Sequence, residues 1–292
     1  MIIVNMACGL ANRMFQYSYY LYLKKLGYDV YVDFYTAARL KHENVSWQKV
    51  FPKASFRQAS AWDVFRSGGG SSLLSRIRRR YLPKTCCMMY MPSAFDALLP
   101  NRDKRLLYVN GVFQNAQMVD SVKNDVYDAF TFIPFTDDYN LSLMEEIGSC
   151  QSVAIHVRKG NDYMSRTYYV NTCPVEYYRK AVDLMCAKLQ SPRFYVFTDN
   201  PEWVRHNFSF FDYKLVDNNP SFGYGSHFDM QLMSLCRHNI ISNSTYSWWG
   251  AFLNRSNDKI VIAPGEWFRP GSCEEYKSGR VVCEGWLAIN II

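Results

Sequence analysis

The 292-residue chain is 49% hydrophobic, enough to bury one large core or two ordinary ones, and this excludes a disordered or fibrous protein. With 33 Lys and Arg against 26 Asp and Glu the net charge is +7, which favours anionic partners without choosing among nucleotides, nucleic acid and a membrane surface. No apolar run approaches the roughly 20 residues that cross a bilayer, so any membrane contact is expected to be peripheral. The first predicted element is a strand in "MIIVNMA", interrupted by the Gly of "CGLAN". Phe15, Tyr19, Tyr22 and Leu26 then fall at helical spacing before Gly27, and "YDVYVDF" follows as a second strand. This is a βαβ opening whose turn lies at the carboxyl end of the first strand, where α/β proteins place ligands.

Residues 67–80, "SGGGSSLLSRIRRR", shift to Gly and Ser and then to bare positive charge, a composition that predicts a mobile surface loop. "RIRRR" reads first as a solvated face. The alternative is a peripheral contact with anionic lipid through Arg76, Arg78, Arg79 and Arg80, each basic residue being worth about 1 kcal/mol near such a surface. Nucleic acid is disfavoured because no aromatics are interleaved. Residues 35–110 otherwise follow no legible pattern.

From residue 150 the pattern becomes regular. Strands are predicted at "SVAIHV", "RFYVFTD", "YKLVD", "NIISNS" and "KIVIAP", with helices at "PVEYYRKAVDLMCAKL", "PEWVRHNF", "HFDMQLMSLC" and "TYSWWGAFLN" between them. Such alternation implies a mostly parallel sheet covered on both faces, with a ligand crevice at the strands' carboxyl ends. A division into residues 1–148 and 149–292 follows.

Three polar clusters fall at those carboxyl ends: "HVRKGND" (156–162), "TDN" (198–200) and "SNSTYS" (242–247). Hydroxyls and backbone amides at a helix N-terminus suit a phosphate, and Arg158 would add a bidentate cation. Each residue also has a plainer reading. Ser244 or Thr245 would cap a helix, His156 would be a hydrogen-bonded core histidine, and Arg158 would pair with Asp162 or Asp199. Trp248 and Trp249 read as helix packing rather than a sugar platform. Together the three clusters shift the balance toward a nucleotide site.

Absent motifs narrow the class. GxxxxGK[ST], GxGxxG, GxSxG and HExxH do not occur, which argues against P-loop enzymes, dinucleotide oxidoreductases, α/β hydrolases and zinc proteases. No D-x-D occurs, so a bound diphosphate is expected to be neutralised by Arg158, Lys159 and backbone dipoles, with no metal and no other cofactor. Nine scattered cysteines without CxxC, and a start lacking a charged n-region and long apolar h-region, suggest reduced thiols and a cytoplasmic protein, with any membrane contact at the inner face.

Across nearly its whole length the chain resembles bacterial α-1,2-fucosyltransferases of glycosyltransferase family eleven. "CGLANRMFQYSYYLYL" is similar to their "GGLGNQMFQYA", "IHVRKGNDY" to "HVRRGDY", and "IISNSTYSWWGAFLN" to "IISNSSFSWWGAWLN". The resemblance implies a GT-B-like α/β fold of two Rossmann-like domains with mostly parallel sheets, the second holding GDP-fucose. It implies transfer of fucose, with inversion and without metal, to the 2-hydroxyl of a terminal galactose in a glycan. Carried onto this chain, Arg158, Asp162 and Asn12 become the expected catalytic residues. The expected nucleotide-sugar contacts are Gly9, His156, Lys159, Thr198, Asp199, Asp229, Asn243, Ser244, Thr245 and Ser247. Asp162 is the first-ranked general base and His156 the alternative. Lys159 stands where the family has a second Arg, and Asn161 adds one residue before Asp162. Another GDP-sugar donor, or a non-catalytic carbohydrate- or nucleotide-binding protein, is the competing expectation.

Overall fold

The computed structural model describes residues 1–38, 47–81, 88–90, 106–160, 164–165, 173–269, 271 and 281–290. The chain divides into two compact units, Met1–Ile133 and Pro134–Ile292, each α/β.

The first unit opens with β1 (Ile2–Asn5), α1 (Leu10–Lys25), β2 (Val30–Asp33) and the single turns α2 (Tyr35–Ala38) and α3 (Trp47–Val50). It continues with α4 (Ala61–Arg66), α5 (Leu73–Tyr81), β3 (Met88–Tyr90), β4 (Leu107–Asn110), α6 (Ala116–Ser121) and α7 (Lys123–Ala129). Its four strands run parallel in the order β2-β1-β4-β3. β1 is buried along its length, as a central parallel strand covered on both faces must be. α1 is buried almost all round, with Tyr17 packed on Trp47 and Phe130 and Tyr19 stacked on Phe113. It ends before Gly27, whose φ of 79° few other residues adopt without strain.

The second unit runs α8 (Asp138–Gly148), β5 (Ser152–Val157), α9 (Val175–Lys188), β6 (Arg193–Thr198), α10 (Pro201–Asn207), β7 (Tyr213–Val216) and α11 (Phe228–Leu235). β8 (His238–Ile240), α12 (Thr245–Leu253), β9 (Val261–Pro264) and β10 (Leu287–Ile289) complete it. Six parallel strands lie in the order β10-β9-β8-β5-β6-β7. All six residues of β5 are buried, and Val153, Ile155 and Val157 pack with Tyr177, Tyr178, Val182 and Met185 of α9. α11 and α12 approach so closely that a Cβ at Gly250 would lie 2.9 Å from the Cβ of Met233.

Two sequence expectations differ from this architecture. The units divide at 133/134 rather than 148/149, because α8 is bonded to the second one: Asn140 and Asn219 exchange amide hydrogen bonds of 2.9 and 3.0 Å, and Glu146 accepts from Tyr195 and Lys214. Residues 73–80 of the expected mobile loop lie in α5, whose Ser75 is buried and whose Arg79 donates to the carbonyls of Gly68, Gly69 and Gly70. Polar bonds rather than an apolar stripe hold its inner side, which is why composition concealed it.

Each sheet reverses its winding once, between β1 and β4 in the first unit and between β5 and β8 in the second. At such a switch point the connections leave in opposite directions and open a crevice beyond the strands' carboxyl ends, the preferred ligand position of doubly wound sheets.

Candidate functional site

The β5/β8 switch point gathers the second unit's polar clusters. Arg158 leaves the end of β5, and its Nε lies 3.0 Å from Asp199 Oδ2, on the turn after neighbouring β6. The other Asp199 oxygen accepts the backbone N–H groups of Lys159 (2.7 Å) and Gly160 (2.9 Å). One carboxylate therefore fixes both the course of the β5 turn and the direction of the Arg158 guanidinium. Thr198 Oγ1 accepts from Asn200 N, and Asn200 in turn donates to the Lys159 carbonyl and caps α10. Thr198 and Asp199 thus serve the turn that presents Arg158.

His156, one residue pair back, is buried. Its Nδ1 lies 2.8 Å from Ser242 Oγ, which ties β5 to the segment after β8. Burial, with the nearby Arg158 charge acting in the same direction, lowers its pKa to about 3, so the ring is neutral at physiological pH. A neutral ring whose Nδ1 is engaged by Ser242 links the two strands that flank the switch point. Asn161 and Asp162 lie outside the described residues.

On the β8 side, Ser244 is the N-cap of α12 and its hydroxyl accepts from Tyr246 N. Thr245 begins the helix and is half-buried, so the positive end of the α12 dipole opens onto the same edge as Arg158. Asn243 and Ser247 face inward instead. Asn243 bonds the Trp267 carbonyl and accepts the Cys173 thiol, while Ser247 donates to the Ser242 and Ser244 carbonyls. These bonds hold the turn that precedes α12. Lys159 is likewise buried, its ammonium 5.0 Å from the Trp203 ring centre and its pKa lowered by burial against the opposing pull of Cys173 and Asp199. Trp248 and Trp249 are core residues, as expected, with Trp248 Nε1 donating to the Val281 carbonyl.

Asp229, in the first turn of α11, accepts from Asn219 Nδ2 at 2.8 Å. Burial pushes its pKa up to about 6, against the Asn219 hydrogen bond and with help from Asp217. Sequence reasoning missed Asn219 and its partner Asn140; the "DNN" run after β7 was the available signal.

At the β1/β4 switch point of the first unit, amide side chains pair with one another, and Arg13 lies buried in the first turn of α1. Asn5, the last residue of β1, donates through Nδ2 to Oδ1 of Asn110, the last of β4, at 3.0 Å. Gly9 is the N-cap of α1, and Asn12 Oδ1 accepts from Gln114 Nε2 at 3.1 Å. Cys8, at the position of the first Gly in the quoted motif, is left-handed with φ 70°. Asn5, Asn110 and Gln114 were not foreseen, although "IIVN" and "LYVN" share one pattern: an apolar run that stops at an Asn.

With this geometry in place, the chain was compared with known proteins. The model for glycosyl transferase family 11 matches residues 99–290. The chain belongs to this family. Within it, the O-antigen biosynthesis glycosyltransferase WbnK of Escherichia coli is 33% identical over 182 residues, covering 60% of this chain and 58% of WbnK. An α-1,2-colitosyltransferase of Escherichia coli is 31% identical over 188 residues, 62% of this chain and 61% of that protein. The match thus spans about three fifths of the length of these curated relatives. Arabidopsis thaliana FUT1, solved with GDP, superposes with a TM-score of 0.50 at 14% identity, covering 90% of this chain and 70% of that one. The family 11 chain therefore has a GT-B-type fold of two α/β units with mostly parallel sheets.

Proposed function

We propose that this family 11 protein is an inverting glycosyltransferase that moves L-fucose from GDP-β-L-fucose to the 2-hydroxyl of a terminal galactose, in the synthesis of a surface polysaccharide such as O-antigen. The observation that carries the reading is the Arg158–Asp199 pair at the β5/β8 switch point, beside the N-terminus of α12. A guanidinium held through Nε is a preorganised cation, and the α12 dipole adds partial positive charge at the same edge.

The acceptor oxygen attacks the fucosyl anomeric carbon as the bond to the β-phosphate oxygen breaks, and GDP leaves with the bonding electrons. The transition state is oxocarbenium-like, so negative charge grows on the diphosphate while positive charge grows on the sugar. Arg158 and the α12 amides would bind the leaving diphosphate more tightly than the intact donor, and that difference accelerates the reaction. The acceptor proton goes to a base, for which Asp162 is the candidate. Asp229 would contact the nucleoside. With charge neutralisation assigned to protein groups, turnover is expected to survive EDTA.

The likeness to an α-1,2-colitosyltransferase supports a second reading in which the donor sugar is colitose rather than fucose. The test is GDP release and product mass from purified protein with GDP-fucose and a panel of terminal β-galactosides, run in parallel with a colitosyl donor. Arg158→Ala should lower kcat by about 10²–10³, the usual loss for one electrostatic donor aimed at developing charge, and Arg158→Lys should recover only part of it. Unchanged turnover in Arg158→Ala would remove the proposed role. GDP binding without transfer to any acceptor would favour a non-catalytic nucleotide-binding protein.

A further inference from the structure

Helix α5 turns its apolar side chains outward. Leu73, Leu74, Ile77 and Tyr81 are 71%, 68%, 44% and 69% exposed, whereas Ser75 between them is buried. At roughly 100° per residue these four apolar positions fall within an arc of about 100° on the helix. Ser75 and Arg79 lie on the opposite side, where Ser75 is buried and Arg79 is tied to the glycine turn before the helix. Ser75 bonds Ser72, and Arg79 donates to the three glycine carbonyls at 68–70.

The charges border the stripe. Arg76 and Arg80 fall on one flank and Arg78 on the other, and no Asp or Glu occurs between Val64 and Tyr81. Arg78 also reaches α4, where it contacts the Arg66 carbonyl and lies over the Phe65 ring. That links the stripe to Trp62, which is 64% exposed and stacked on Phe65. An outward Leu/Ile/Tyr stripe, arginines on both borders and an exposed Trp beside it is the pattern of a helix lying in the plane of a membrane interface. Cationic borders also complement anionic headgroups. No helix among the described residues is long and apolar enough to span a bilayer.

We propose that α5 is an interfacial membrane anchor: Leu73, Leu74, Ile77 and Tyr81 enter the headgroup region of an anionic bilayer, Arg76 and Arg80 hold its surface, and Arg78 and Arg79 fasten the helix to the protein. This differs from an electrostatic contact through the arginine run, because insertion of the apolar stripe carries the binding and Arg79 takes no part in it.

The test is sedimentation of the 292-residue chain with vesicles of phosphatidylcholine and phosphatidylglycerol at 7:3, against phosphatidylcholine alone. The parent should bind the anionic vesicles. Replacing Leu73, Leu74 and Ile77 together by Ser should weaken partitioning at least about ten-fold with the melting temperature unchanged, as each buried apolar side chain adds to interfacial binding. Arg76→Gln and Arg80→Gln should each cost about five-fold at low salt and less at 0.5 M NaCl. Leu74→Trp, which keeps the apolar face, should report insertion through quenching by brominated lipid in the anionic vesicles alone. Absence of binding by the parent, binding of the triple Ser variant equal to the parent, or a Leu74→Trp signal untouched by brominated lipid would each overturn the proposal. So would a parent dimer that the triple Ser change converts to monomer while vesicle binding stays the same, since the stripe would then be a contact between copies of the chain.

Discussion

Replacing Asp199 by Asn removes one negative charge and keeps the side chain's shape, so it isolates what that carboxylate does at the β5 turn. In the parent, one oxygen accepts the Lys159 and Gly160 amides and the other meets Arg158 Nε at 3.0 Å. An amide cannot satisfy both sides. Either its NH2 group faces the Arg158 Nε–H, or it flips and faces two backbone N–H groups. The side chains of Arg158 and Asp199 are 32% and 21% exposed, which places the pair between a surface ion pair worth under about 1 kcal/mol and a buried one whose rupture costs about 3–5. A stability loss of about 1–3 kcal/mol is expected, read as a lower melting temperature. Turnover should fall by about 10–10², because the guanidinium is no longer aimed, and a misplacement of about 1 Å is worth that much. The decisive assay is a double-mutant cycle on kcat with Arg158→Ala. If Asp199 acts through Arg158, adding Asp199→Asn to Arg158→Ala should change kcat less than about two-fold. An equal fall in both backgrounds would refute this and make Asp199 a direct contact to the nucleotide sugar.

Asp229→Asn should stabilise the protein at neutral pH. With its carboxyl raised to about 6, the native state holds a proton that the unfolded chain releases near 4. Stability therefore falls as pH rises through that window, by at most about 3 kcal/mol, and the advantage of the variant should vanish below about pH 4; an equal advantage at pH 3.5 and pH 7 would contradict it. Cys8→Gly should raise the melting temperature by an amount corresponding to about 0.5–1 kcal/mol, since relief of a left-handed backbone at Cys8 exceeds the entropy that Gly adds to the unfolded chain; a fall would show that the thiol packs productively. Gly250→Ala should destabilise by about 1–3 kcal/mol, because the new methyl meets the Met233 Cβ at 2.9 Å and forces α11 from α12; unfolding in urea with an unchanged midpoint would refute the contact.

The second unit was legible because its central strands are buried on both faces and read as unbroken apolar runs. "SVAIHV" coincides with β5, and "RFYVFTD" and "KIVIAP" contain β6 and β9. β10 was not legible, since its three residues are at most half-buried at the sheet's edge and carry no pattern. In the candidate site, residue identity was readable but side-chain direction was not. Lys159, Asn243 and Ser247 sit within the motifs yet turn into the protein, whereas Ser244 caps the helix as its type and place suggest. The Asn5–Asn110 bond joins residues 105 positions apart, which no local pattern can reveal. α5 inverted the usual rule altogether, burying Ser and exposing Leu.

The same topological device occurs in both units and is finished with different chemistry. At the β1/β4 switch point the groups are amides: Asn5, Asn12, Asn110 and Gln114, paired with one another. Amides both donate and accept, so they suit hydroxyls, and they add no net charge to the edge. At the β5/β8 switch point the groups are a guanidinium braced by a carboxylate, a histidine kept neutral by burial, and a helix N-terminus. The neutral histidine matters there. A protonated His156 would repel Arg158 from behind, whereas the neutral ring leaves the positive charge of Arg158 and the α12 dipole at this edge unopposed. On the proposed reaction, charge develops on the leaving group, so the edge that carries Arg158 and the α12 N-terminus fits the nucleotide-sugar donor.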